Sequence, residues 1–300
     1  MDRSPPFGPV PEVHRSPLGL WSLARWRPPD LAPHVEEIWF FEGTMALRRE
    51  RHYPHGQLDL ILHLGPRYRR ISGAEPGRFS RAPASGLFLR PDVIEAPEGR
   101  SAALGIRLHP SGAARVFGMP LEALAGRDVE LADLLSPSEV EALLERCADT
   151  ASPVQRIRVA ADWLRGRILS GRPLPRPIEA AVAELQRSGG RAPLRALAEA
   201  GPWSRSRFSV RFREEVGVPP GTFARILRFH RAMTEMGSGG PEGSGRRRGV
   251  GSLLSRVAHQ GGFADQAHFT REFRSFAEMT PTEWLARVRF PETTSTAERG

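Results

Sequence analysis

The stretch GGFADQAHFTREFRSFAEMTPTEW, from Gly261 to Trp284, decides how this chain is read. A glycine pair opens it at a sharp turn, Asp265 is placed to cap a helix, and Phe269 and Phe273 follow at i,i+4 spacing. Such a pair buries one side of a helix and leaves the other side polar. About 60 residues upstream the pattern recurs as GPWSRSRFSVRFREEVGVPPGTF, from Gly201 to Phe223. The first copy reads Ala198, Gly201, Trp203, Phe208, Phe212, Pro220, Phe223, and the second reads Ala258, Gly261, Phe263, Phe269, Phe273, Pro281, Trp284. Their intervals are 3, 2, 5, 4, 8, 3 and 3, 2, 6, 4, 8, 3, so a single inserted residue separates them.

Each copy predicts a helix, a tight turn and a second helix, with Ala198 or Ala258 letting the helices approach closely. Trp203 or Phe263 covers the core from the turn, and Ser204 or Asp265 caps the second helix. Packing of two amphipathic hairpins accounts for the apolar residues by itself. The functional signal lies on the opposite face, which is polar and rich in arginine. A helix held by its back with a polar front fits the DNA major groove.

Arg256–Trp284 resembles the second helix-turn-helix of AraC-family regulators, and Trp203–Phe223 is similar to the first. Pro220–Met236 is similar to the helix that joins them, and the resemblance covers about residues 191–288. It implies a transcriptional regulator whose first recognition helix presents Arg205, Ser206, Arg207, Ser209 and Val210, and whose second presents Gln266, Ala267, Thr270 and Arg271. The side chains suit that role. Arg pairs bidentately with guanine, Gln with adenine, and Ala, Val or a Thr methyl meets the thymine methyl. Arg213 and Arg274, one residue beyond the Phe pairs, are phosphate contacts or surface ion pairs. Double-stranded DNA is the implied partner, with RNA polymerase and a small-molecule effector as further ones; no cofactor is implied and no oligomeric state is set.

The chain departs from the family at Gly201-Pro202, where a tighter turn is expected, and at an insertion over 237–251. That insertion has the composition of a flexible linker and threatens the fixed geometry of the two recognition helices. Arg246–Arg248 within it either track phosphate or keep the loop soluble.

Upstream, the pattern changes. Residues 1–17 are proline-rich and read as disordered, as do 291–300. Leu18–Trp26, Glu37–Phe41, Leu58–Leu64, Gly86–Leu89 and Ala102–Leu108 read as strands of a small antiparallel barrel or sandwich. Gly112–Phe117, Leu121–Leu124, Ser138–Thr150 and Pro153–Leu169 have helical spacing, and Ile178–Ser188 opens the DNA-binding part. The expected fold class is therefore α+β: an antiparallel domain with following helices (18–175), then an all-α domain of two helix-turn-helix units (178–290). Residues 18–175 resemble, more loosely, the partly cupin-like sensor half of some AraC-like regulators. The resemblance is carried by YPHGQLDLILHLG (53–65) and LGIRLHPSGAARVFG (104–118), although relatives often carry Pro-Asp-Gly where Pro54-His55-Gly56 stands here.

A cupin-type metal enzyme with an accessory helical domain is the alternative. His52, His55, His63 and His109 are its candidate ligands, but they lack the His-x-His and downstream Glu of a metal cupin. Trp21, Trp26, Trp39 and Phe40 read as barrel core rather than a ligand cage. Cys147, the one cysteine, excludes an intramolecular disulfide and sits in a predicted amphipathic helix, so it reads as an inert hydrophobe rather than a repair nucleophile.

Charge supports the regulator. Of the net +9, residues 191–290 hold 17 arginines against nine acidic residues, a footprint for an anionic polymer. Every basic residue is arginine; GC-rich coding and a preference for bidentate phosphate contacts both produce that. No apolar run nears the ~18 residues of a membrane span, and Met1–Pro17 lacks the apolar core of a signal peptide. No membrane partner and a cytoplasmic location are the expectations.

Overall fold

The computed structural model describes residues 9–289 except 17, 47, 73–75 and 239–248. Ten strands come first: β1 (Val10–Ser16), β2 (Gly19–Trp26), β3 (Val35–Met45), β4 (Arg49–His52), β5 (Leu58–His63), β6 (Arg69–Ser72), β7 (Gly77–Arg78), β8 (Pro83–Ser85), β9 (Asp92–Glu95) and β10 (Ser101–Leu108). Then follow α1 (Pro110–Phe117), a 3-10 turn (Leu121–Leu124), β11 (Asp128–Glu130), α2 (Leu131–Leu134), α3 (Pro137–Ala148) and α4 (Pro153–Ser170). The remainder is helical: α5 (Arg176–Ser188), α6 (Leu194–Glu199), α7 (Arg205–Val216), α8 (Pro220–Ser238), α9 (Val250–Gln260), α10 (Gln266–Ala277) and α11 (Pro281–Arg289). The chain is α+β.

The strands form two antiparallel sheets, one of seven in the order β1-β2-β3-β10-β5-β8-β11 and one of four in the order β4-β9-β6-β7. Register aligns Ala24, Phe40, Leu104 and Leu62 across four strands, with Ile38, Ile106 and Leu60 in the next row. All seven are buried, because alternation puts every second residue on the face covered by α1 and α4. The other parity carries Glu37, Asp59 and Arg107. Arg107 lies 3.1 Å from Asp59 and 3.4 Å from Glu37, pairing charges that the sheet removes from water. Arg70 of β6 pairs with Asp92 of β9 and reaches Asp128 of β11, tying the small sheet to the large one.

Several expectations change here. Val10–Ser16 is a strand, not disordered: it pairs with β2 as the sheet's edge, where Pro11 is tolerated. Gly86–Leu89 is not a strand. The strand lies just before it, at Pro83–Ser85, and Gly86 sits where a Cβ would fall 1.7 Å from the Leu124 carbonyl oxygen. Of the four aromatics assigned to the core, only Phe40 is fully buried. Trp21, Trp26 and Trp39 are half-buried. Trp21 stacks on His14, the Arg165 guanidinium lies over Trp26, and the Trp39 indole lies against Gly105 of β10. Cys147 is buried in α3, where burial pushes its thiol up to about 11. It is no nucleophile at neutral pH.

Candidate nucleic-acid interface

The two helix-turn-helix units are built alike from their caps onward. In the first, the Ser204 hydroxyl accepts from the Arg207 N–H at the start of α7; in the second, the Asp265 carboxylate accepts from the His268 N–H at 2.6 Å. Each cap precedes its first buried Phe by four residues, so the extra residue of the second copy lies in the turn at Ala264. Phe208, Phe212 and Phe223 pack with ring centroids 5.8 and 5.9 Å apart. Phe269, Phe273 and Trp284 repeat the arrangement at 5.7 and 6.2 Å. From α8, Phe229 enters the second core, 5.1 Å from Phe273 and 5.3 Å from Phe276. Both helices are thereby fixed from behind by aromatic rings, each burying on the order of 150–250 Å².

The residues singled out from sequence stand on the faces turned away from those rings. Arg205, Ser206, Arg207 and Val210 of α7 are exposed and Ser209 is half-buried; on α10 Gln266, Ala267 and Arg271 are exposed and Thr270 is half-buried. Val210 is 46% exposed, open to an apolar contact of the kind a thymine methyl offers. Thr270 donates its hydroxyl to the Gln266 carbonyl at 2.9 Å, so that hydroxyl is engaged within the helix. Arg205 lies 3.8 Å from Glu199. Among the described residues neither Arg207 nor Arg271 has an ion-pair partner.

The two arginines beyond the Phe pairs differ. Arg213 is engaged by Glu122 of the 3-10 turn, Nε to Oε1 at 3.0 Å, whereas Arg274 is exposed. Nearby, the buried Glu215 of α7 accepts from Arg172 at 2.6 Å and Arg211 at 3.0 Å. Spacing gave no signal for either bond to the 122–172 segment, since their partners lie more than 40 residues upstream.

The β-domain also meets α8. Gly56 has positive φ, and a Cβ there would fall 2.9 Å from Leu227. The Tyr53 ring lies 6.4 Å from that of Phe229, and the His55 ring 6.2 Å from that of His230. His55 itself is held by Gln57 at 2.8 Å and Asp59 at 3.0 Å. Burial alone would raise the Asp59 carboxyl, but Arg107 and His55 outweigh it and hold it well below its ordinary value. The other histidines are scattered. His52 lies 3.4 Å from Glu50, His63 stacks on Tyr68, and His109 meets Gln186 at 2.8 Å. Burial pushes His63 down to about 4. Among the described residues no three His, Cys, Asp or Glu side chains are grouped to hold a metal. No helix among them is long and apolar enough to cross a membrane.

The insertion expected over 237–251 falls partly on described residues. Helix α8 runs to Ser238 and α9 begins at Val250; residues 239–248, with Arg246–Arg248, lie outside the described residues, as do 291–300.

Residues 27–130 match a family model described as "Domain of unknown function (DUF6597)". No curated protein matches the chain. Among solved structures, it is similar to ToxT from Vibrio cholerae at 11% identity, over 84% of this chain and 98% of that one, with a TM-score of 0.44. ToxT bound to (E)-4-(8-methylnaphthalen-1-yl)but-3-enoic acid gives 11% identity, 83% and 99% coverage and a TM-score of 0.45. The AraC-like transcriptional activator CuxR gives 16% identity, 72% and 82% coverage and a TM-score of 0.31. At TM-scores below 0.5 these likenesses add nothing to the geometry above.

Proposed function

We propose that this chain is a sequence-specific DNA-binding transcriptional regulator of the AraC type, not an enzyme. In this reading α7 and α10 enter two successive major-groove segments of double-stranded DNA. Arg205, Ser206, Arg207, Ser209 and Val210 read one segment, and Gln266, Ala267, Thr270 and Arg271 the other. The observation that carries it is the equivalence of the two helices: each is capped, held from behind by aromatic rings, and exposed along the face where these residues stand. Arginine on such faces supplies both guanine recognition and phosphate neutralisation. The N-terminal β-domain serves as a sensor, contacting α7 through Glu122 and α8 through the 53–56 loop. A small-molecule effector and RNA polymerase are its natural further partners.

Selection of bound sequences from a random DNA pool, with the full chain at near-physiological salt, tests this. A bipartite motif with its halves about one helical turn (~34 Å) apart is the expected result. Binding without any preferred sequence, or no binding, sinks the reading. A cupin-type metal enzyme predicts that outcome together with bound metal.

A further inference from the structure

Two reading helices specify a spacing only if the angle between them is fixed. Beside Phe229 of α8, whose ring packs in the second core, two arginine side chains bridge the units. Arg191, in the turn before α6, donates from Nε to the Ser188 carbonyl at 2.9 Å and from Nη1 to the Gln260 carbonyl at 3.2 Å. Gln260 ends α9, so this one side chain joins the segment between α5 and α6 to the turn of the second unit. Its stem lies against the second turn, where a Cβ on Gly262 would come 3.2 Å from the Arg191 Cγ. Arg225 of α8 donates from Nε to both carboxylate oxygens of Glu272 on α10, at 2.7 and 3.1 Å. It also lies over the Phe276 ring at 5.2 Å. Glu272 sits beside Arg271, on the recognition helix itself.

We propose that Arg191 and Arg225 are positioning residues: a two-point clamp that fixes the phase between α7 and α10 so that the chain accepts one spacing of a bipartite DNA site. The inference rests on the DNA-reading role proposed above. Arg191 holds the segment before α6 to the end of α9, and Arg225 holds the joining helix to the second recognition helix. The two bonds lie on different elements of the second unit, so together they oppose both tilting and rotation. Neither arginine reaches the exposed reading faces. The clamp acts through the orientation of α10.

The test has one arm without DNA and one with it. Spin labels at Ser206→Cys and Ala267→Cys in the full chain report the distance between the two recognition helices; the buried Cys147 is left unlabelled. The parent should give a narrow distance distribution, and the Arg191→Ala, Arg225→Ala pair a broad one. Glu272→Gln, which keeps shape and removes the charge, should give an intermediate width and guards against misfolding of the double variant. A distribution already broad in the parent, or unchanged in the variants, overturns the clamp. In the second arm, unlabelled protein meets the bipartite motif selected by the parent and versions with one or two base pairs inserted between the halves. Each inserted pair turns one half about 34° around the duplex. The parent should lose roughly tenfold in affinity per insertion. The double variant should discriminate less than about threefold while keeping its preference within each half. Equal discrimination by parent and variant overturns the clamp as well. A narrow distance without any selected motif leaves the clamp standing and refutes the DNA reading.

Discussion

The two helix-turn-helix units share a construction and differ in what holds them. The first is built into the body of the protein. Helix α7 packs on the 3-10 turn 121–124, Glu122 engages Arg213, Arg172 engages Glu215, and Gln186 of α5 bonds His109. Among the described residues, the second reaches the β-domain through Tyr53, beside Met279 at 4.0 Å and Trp284, and through Arg51 beside Glu278 at 3.8 Å. Its firm attachments are to the first unit: Phe229, Arg225 and Arg191. In the proposed reading, the same motif serves as a fixed reader in one copy and a carried reader in the other.

The largest test of that contrast removes one aromatic from each core. Phe212→Ala and Phe273→Ala each delete a fully buried ring and are expected to cost about 3–5 kcal/mol, measured by denaturant unfolding. Their reach should differ. With Phe273→Ala, amide exchange should quicken mainly across 250–289, whereas Phe212→Ala should also loosen α5 and the 121–124 turn. Identical exchange maps would mean that the units are equally integrated and that the contrast is only one of contact area.

Next in size is the reading itself. Arg207→Ala and Arg271→Ala should each cost roughly 1–3 kcal/mol of specific binding and relax one base position. Each should affect its own half of the motif only. If both weaken binding uniformly across sequences, they contact phosphate and base readout falls to their neighbours. Glu122→Gln is smaller. Both partners of the Glu122–Arg213 pair are about half exposed, so stability should stay within about 1 kcal/mol. Freed from its carboxylate, Arg213 becomes available to a phosphate, and the salt dependence of DNA binding should steepen by about 0.9 in log–log slope. An unchanged slope would place Arg213 away from the DNA backbone.

How much of this was legible depended on whether the determinant is local. The Phe pairs and the caps Ser204 and Asp265 lie within four residues of what they contact, so spacing alone revealed them. The long strands β2, β3, β5 and β10 alternate and were legible too. Strands such as Arg49–His52 carry no apolar alternation, because they are short and one row of them pairs charges: Arg49 and Arg69 flank Glu95. Val10–Ser16 was hidden by its proline, which an edge strand accepts. The tryptophans were assigned to the core on size, although Trp39 gains its partial cover from a glycine opposite it. Glu122–Arg213 and Arg191–Gln260 join residues 91 and 69 positions apart, which no periodicity encodes.

The smallest expected effect separates the units at a single backbone angle. Each recognition helix ends in the left-handed region, where the first unit has Gly217 (φ 100°) and the second has Glu278 (φ 58°). In both, the terminal N–H returns to a carbonyl of the last turn, Arg213 or Arg274. A Cβ costs energy at that angle, and glycine removes the cost while adding freedom to the unfolded chain. Glu278→Gly should therefore stabilise the second unit by about 0.5–1 kcal/mol, at the expense of a long, exposed contact to Arg51 that contributes little. The reverse change, Gly217→Ala, meets both the strained angle and the Leu121 carbonyl oxygen 3.2 Å away, and should destabilise by more than the first gains. Because Gly217 sits against the 3-10 turn of the β-domain and Glu278 does not, a crowded C-cap in the first unit should disturb the contact between domains. A relaxed C-cap in the second should leave the contact at 121–124 intact. Thermal unfolding of both variants measures the sizes, and exchange at 121–124 tells whether the disturbance crosses the interface. Equal and local effects would mean that the first unit is no more tightly built in than the second.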